Sequence, residues 1–285
     1  MGTSTSNAGT SGSGTPLVPS WLDPGSDDAG GVNPGSGQDG TPPQVDKLPV
    51  PEPADPNRYR AARTAFSKFA RSGGSDRRSM GRSVASYVSK SSGGSKGAVQ
   101  KMGSSRRTAA QLLNFLNDAS ARGIDETLRS LNLSNLTGRP IDEIFIGIAD
   151  YILPEGGSDD IGVARQAFIQ TIEQVAEAGS VDLSNLNSDQ VQAVIEAYTT
   201  NSIELRIIND VGTKAISIPK DIAAATDIQE QLHDFIGNSV AEAFNNLDKR
   251  PLPLRPNETL LYVDQIYEQA FDLLVALGEN MENEK

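Results

Sequence analysis

From about position 58 to the end of the chain, apolar residues recur at spacings of three and four, the period of a helix with one buried face. Arg58 to Arg71 aligns Tyr59, Ala62, Phe66 and Phe69 or Ala70 on one stripe, and Ser72-Gly73-Gly74 stops it. A second helix, Asp76 to Lys90, carries Met80, Val84, Tyr87 and Val88, and Gly93-Gly94 breaks the chain again. A third stretch, split near Gly103, runs to Arg122 around Leu112, Leu113, Phe115 and Leu116. Pro140, Asp142 and Glu143 open a helix through Ile144, Phe145, Ile148 and Tyr151 to Leu153, because proline fits a first turn and acids suit the positive end of the helix dipole. Ser158-Asp159-Asp160 is placed to cap Ile161–Ala178, with Ala164, Phe168, Ile172 and Val175 inward. Ser188 is placed to cap a helix through Val191, Val194, Ile195, Tyr198, Leu205 and Ile208. Pro219 starts the next, where Ile222, Ile228, Leu232, Phe235 or Ile236, Val240 and Phe244 recur. After an extended Pro251–Pro256 segment, Glu258 to Glu279 uses Leu261, Ile266, Tyr267, Phe271, Leu274 and Leu277. No stretch alternates as a strand does. The pattern predicts an all-α fold of about eight helices, a basic helical segment 57–123 and an acidic helical body 124–285 in one continuous domain.

Residues 1–56 lack this period and are predicted to be a disordered arm. Residues 2–15 hold only Gly, Thr, Ser, Asn and Ala, which bury no apolar area to offset the entropy of ordering. The stretch Thr15-Pro16-Leu17-Val18-Pro19-Ser20-Trp21-Leu22 then places an apolar knot, with the only tryptophan, inside the arm. Such a tether with a sticky anchor suits presentation to a partner, and the alternative is a tail whose Trp21 packs on its own body. A small residue after Met1 favours removal of the methionine, which leaves the Gly2 amine, a group that titrates near ~7.7–8.0 and is partly nucleophilic at neutral pH. Glycine also threads a narrow active site because it lacks Cβ. Gly2 with Ser6 fits the short N-myristoylation pattern as well, and a lipid anchor is a third possibility. Asp23 to Pro56 is rich in Pro, Gly and Asp, and a flexible arm of this length has an r.m.s. span of roughly 40 Å.

Charge divides the chain further. Residues 1–57 carry seven acids and one base, residues 58–109 thirteen bases and one acid, and residues 110–285 twenty-nine acids and eleven bases. Arg77, Arg78, Arg82, Lys90, Lys96, Lys101, Arg106 and Arg107 lie among Ser and Gly, and this basic surface could meet phosphates. The net charge of −12 opposes approach to nucleic acid, so docking onto the acidic remainder or an acidic protein is favoured over DNA. Cysteine is absent, which excludes disulfides and thiolate metal sites. The start lacks a signal-peptide pattern and no apolar run approaches ~20 residues, so a cytoplasmic protein without membrane contact is expected.

Catalytic chemistry finds little support. His233 is the sole histidine, beside Leu232 and Phe235, and its setting favours a structural role. One histidine supplies neither a serine triad nor a multi-histidine metal site. Asp125-Glu126, Asp142-Glu143 and Asp159-Asp160 read as helix-start acids. Gly93-Gly94-Ser95-Lys96-Gly97 lacks the spacing of a phosphate loop and follows no strand. A chain that is not an enzyme, with no cofactor or metal, is expected.

The opening M-G-T-S-x-S…G-x-G-T-P-L-V-P-S-W-L resembles the start of the QatB family, from the four-component Qat anti-phage systems of bacteria. Arg58-Tyr59-Arg60…Phe66-Ser67-Lys68-Phe69, the basic region and the Ser-Gly-Gly segment are similar too. The resemblance implies three companions: an ATPase, a TatD-like nuclease and a (QatC-like) relative of the queuosine-pathway enzyme that makes 7-cyano-7-deazaguanine. It implies that this chain is the non-enzymatic member and that the queuosine-type enzyme acts on its N-terminal glycine, joining a deazaguanine through an amide. The carry-over falls on Gly2, with Thr3 and Ser4 as neighbours in the enzyme cleft and Pro16, Leu17, Val18, Pro19, Trp21 and Leu22 as the docking element.

Overall fold

Helix follows helix wherever the three-four pattern occurs. The computed structural model of the protein describes residues 55, 57–179, 181–212, 222–247, 254 and 256–283; among them are ten α-helices and no strand. The arm residues Gly2, Thr3, Ser4, Pro16, Leu17, Val18, Pro19, Trp21 and Leu22 lie outside the described residues, as does Pro219. All ten helices belong to the unit spanning residues 53–285.

The first helices are α1 (Arg60–Arg71), α2 (Arg77–Ser86), α3 (Ser95–Lys101) and α4 (Gly103–Arg122). Asp76 caps α2 by accepting from the Ser79 amide at 3.1 Å, and a π-helical turn, Tyr87–Ser91, continues it. A short helix absent from the sequence reading, α5 (Ile124–Ser130), has Asp125 and Glu126 in its first turn, where acids were expected. Then come α6 (Ile141–Ile152), α7 (Asp159–Ala178) and α8 (Ser188–Ile207). Ser158 caps α7 as anticipated. The cap of α8 is Asn187 rather than Ser188: Asn187 and Gln190 exchange side-chain bonds with each other's backbone amides, a capping box. A second π-helical turn, Ile208–Gly212, extends α8. The last two are α9 (Ile222–Asn246) and α10 (Pro256–Asn283). α10 begins two residues before the expected Glu258 because Pro256 occupies its first position, where a missing amide hydrogen costs nothing.

Three helices form the interior. α4 meets α5, α6, α7, α8 and α10; α8 lies between α7 and α9; and α10 spreads over α2, α3, α4 and α9. Tyr198 on α8, Leu112 and Leu116 on α4, and Tyr267, Phe271 and Leu274 on α10 are buried. Each such side chain contributes about 1.5–3 kcal/mol relative to exposure. α2 and α10 cross at two glycines. A Cβ on Gly278 would stand 2.4 Å from the Gly81 carbonyl oxygen and 2.9 Å from the Ala85 Cβ, so the backbones touch only because neither residue has a side chain. Three positions assigned inward from sequence face outward: Tyr151 (53% exposed), Leu261 (62%) and Leu277 (38%). The helix turns 100° per residue, and Ile152 on α6 and, beside the expected Ile266, Val263 and Ala270 on α10 hold the buried side.

Candidate functional site

Of the basic residues singled out above, several are spent on the fold. Arg82 pairs with Glu282, Arg106 with Asp264 at 2.5 Å, and the Arg77 Nε donates to Gln231 at 3.1 Å. The Arg107 Nε turns back to the Gly103 carbonyl at 3.3 Å. Arg78, Lys90 and Lys96 are exposed. At the start of α3, after the two glycines, the Ser95 hydroxyl donates to Asp272 on α10. Three of these contacts, from Arg82, Ser95 and Arg106, run from the basic segment to α10, where two of its thirteen bases are paired with acids. Arg58, Arg60, Lys68, Arg82 and Lys90, with Asp55 the sole acid, line a cleft of about 700 Å³ beside α1.

Behind that cleft lies a half-buried polar network in which the two π-helical turns meet α1. Both turns add a residue to the helical repeat and so re-aim side chains that a regular helix would point elsewhere. Asp210, in the second turn, accepts from the hydroxyls of Tyr59 and Tyr87 at 3.0 Å each. The Arg206 guanidinium stands 3.3 Å from Asp210 and 3.6 Å from Asp160. Asp160 also accepts the Ser104 amide at 2.7 Å, which ties the start of α7 to the start of α4. Arg63 donates to the Asp210 carbonyl at 2.9 Å. Lys101 donates to the Ser91 carbonyl at 2.9 Å and the Ser92 hydroxyl at 3.1 Å, with its ammonium 5.3 and 5.7 Å from the ring centres of Tyr59 and Tyr87. The two rings stack with centroids 6.1 Å apart, and Arg58 and Arg63 lie over Tyr59 at 4.7 and 5.2 Å. Arginine and lysine on an aromatic face are held by the ring quadrupole.

Four cations, Arg58, Arg63, Lys101 and Arg206, thus surround two carboxylates, Asp160 and Asp210. Burial shows in the titration of its members. Burial, then the Arg58 guanidinium, lowers the Lys101 ammonium to about 8. Burial and the Asp210 carboxylate raise the hydroxyls of Tyr59 and Tyr87 above the usual phenol value. Sequence reading placed Tyr59 and Tyr87 as apolar stripe residues and left Arg206, Asp210 and Asp160 without a shared role. The available signal was that a buried tyrosine hydroxyl needs a partner.

A second polar region lies across the molecule, where α7, α8 and α9 converge. The His233 Nδ1 is 2.7 Å from the Glu204 Oε2, and this pairing raises the imidazole above its ordinary value. His233 is therefore engaged with an acid in the fold, in line with the structural role read from its setting. On the outer side of α6 and α7, exposed Ile146 and Ile169 join Ala149 and Ile172 along an apolar groove of about 590 Å³. No helix among the described residues is long and apolar enough to cross a membrane, and no group of three or more metal-ligating residues is assembled among them.

Comparison with curated proteins and with solved structures returned no match. A family model, described as QatB, Qat anti-phage system associated protein, matches residues 93–274, from the segment before α3 to within α10.

Proposed function

This chain belongs to the QatB family of Qat anti-phage system associated proteins, and from that premise we propose that it is the non-enzymatic member that offers its own N-terminus to an enzyme of the system. Membership makes it a component associated with Qat anti-phage defence and with the other Qat components. In the proposal, the Gly2 amine is the substrate of the queuosine-pathway-like partner, and Leu17, Val18, Trp21 and Leu22 form the docking element. One observation carries the reading: a start of Met1-Gly2 followed by thirteen small or polar residues and then an isolated apolar knot. Anchoring at the knot raises the local concentration of the amine, to the millimolar range for a short flexible linker.

Mass spectrometry of the N-terminus, after co-expression with the companion proteins, tests the proposal together with a binding titration. Trp21→Ala weakens binding to the queuosine-type enzyme by on the order of 2 kcal/mol, the scale of a buried tryptophan anchor. Gly2→Val keeps that affinity but is not modified, since a branched side chain crowds the amine. Modification of Gly2→Val at the wild-type rate, or unchanged binding by Trp21→Ala, overturns the reading.

The cleft beside α1 favours a second reading, an adaptor for nucleic acid, because Arg58, Arg60, Lys68 and Lys90 line it beside the already paired Arg82, with Asp55 as the one acid of the lining. Under it, Arg60→Glu with Lys90→Glu abolishes a DNA affinity that falls steeply with salt. Under the first reading, any DNA affinity is weak and this pair leaves N-terminal modification intact.

A further inference from the structure

Glu204 is an acid placed where the fold gives it too little. It lies on α8 with its side chain 6% exposed, and His233 satisfies only its Oε2. The other oxygen, Oε1, has no hydrogen-bond partner among the described residues. A buried carboxylate with one lone oxygen is held at a cost unless another donor can reach it. Glu204 lines a cleft of about 360 Å³ between α7, α8 and α9. The other charged groups on that cleft are Glu173 and Glu177 from α7 and Glu230 and Asp234 from α9, one helical turn apart on each wall. His233 is the only basic side chain among the lining residues. The amides of Gln174 and Asn201, hydrogen-bonded to one another at 3.0 Å, complete the floor.

We propose that this cleft binds a linear aliphatic polyamine, with Glu204 as the buried counter-ion and the acids of α7 and α9 as successive partners for its further ammonium groups. The spacing suits a flexible chain of separated charges better than one compact ion, and no cluster of metal ligands is assembled among the described residues. The terminal torsion of glutamate is soft and turns both oxygens together, so the carboxylate meets an ammonium in the cleft in exchange for its His233 bond, without moving α8. His233 sets the pH response. A protonated imidazole already neutralises Glu204, and an arriving ammonium competes with that proton. Polyamine binding therefore lowers the apparent pKa of His233, and affinity rises with pH until the imidazole is neutral. The inference is independent of what happens to Gly2.

The full chain carries its own reporter, since a single histidine gives a single set of imidazole resonances. Titration with spermidine at several pH values, read by NMR of His233, is expected to saturate and to lower its pKa. Glu204→Gln weakens binding by about tenfold or more, the scale of a lost charge-assisted bond. The exposed rim variant Glu173→Gln, which does not touch the core, weakens it about twofold. Asp189→Gln, fifteen residues and about 22 Å away along α8, leaves it unchanged. Four results overturn the proposal: no saturation; an equal shift with magnesium at matched ionic strength; equal losses in Glu173→Gln and Asp189→Gln; or tighter binding of a lysine-containing tripeptide than of spermidine. The last would make the occupant a partner's lysine side chain.

Discussion

Asp210→Ala removes the acceptor that two tyrosines share and the carboxylate paired with Arg206. Tyr59 and Tyr87 each lose a bond of 3.0 Å, and Arg206, whose side chain is 15% exposed, is left with Asp160 at 3.6 Å as its remaining carboxylate. Truncating one partner of a buried ion pair typically costs about 3–5 kcal/mol, because the remaining charge is left without compensation. The two hydroxyls add on the order of 1 kcal/mol each, the scale of a neutral hydrogen bond. For a helical unit of this size the sum lowers Tm by on the order of 10 °C. Asp210→Asn, which keeps an acceptor but not the charge, falls by about half as much. Thermal unfolding followed by far-UV circular dichroism measures all of these. In the double variant with Arg206→Met the loss is smaller than the sum of the single losses, because neither charge is stranded. Strict additivity, or a fall of less than about 2 °C for Asp210→Ala, would refute the claim that the network is held by mutual neutralisation.

Other outcomes follow from neighbouring features. Lys101 is lowered to about 8 in the fold against ~10.4 in an unfolded chain, so between those values the unfolded state binds more protons and stability rises with pH. Relative to Lys101→Met, the wild type should gain stability from about pH 8 to 10 in denaturant titrations; a flat difference would contradict the buried setting of the ammonium. Gly278→Val should lower Tm more than Gly162→Val, since a side chain at Gly278 meets the α2 backbone at 2.4 Å whereas Gly162 has open space around it. A chain beginning at Asn57 should give a predominantly helical far-UV spectrum, and substantial strand content would contradict the fold.

The helices were legible because each needs only a local stripe and a stop. Phase along a stripe was less so: Leu261 and Leu277 look apolar enough to be buried, yet the partners that choose the buried side are Gly81 and Ala85, remote in sequence. The polar network was illegible for a related reason. Tyr59 and Asp210 are 151 residues apart, and the π-helical turn that aims Asp210 at them breaks the regular period on which the reading relied. The family resemblance rested on residues 1–22 and on the basic region through about 110, where short motifs exist. The family model matches residues 93–274, where the sequence reading found helical periodicity and quoted few motifs.

The pairing of the basic segment with the last helix sets a timetable for synthesis. Arg106 and Asp264 are 158 residues apart, so at ordinary elongation rates the arginine leaves the ribosome roughly 8–30 s before its partner exists. During that interval Arg82, Arg106 and the glycine seat at Gly81 stand without Glu282, Asp264 and Gly278. The contacts that close the basic segment are thus among the last that the chain can form.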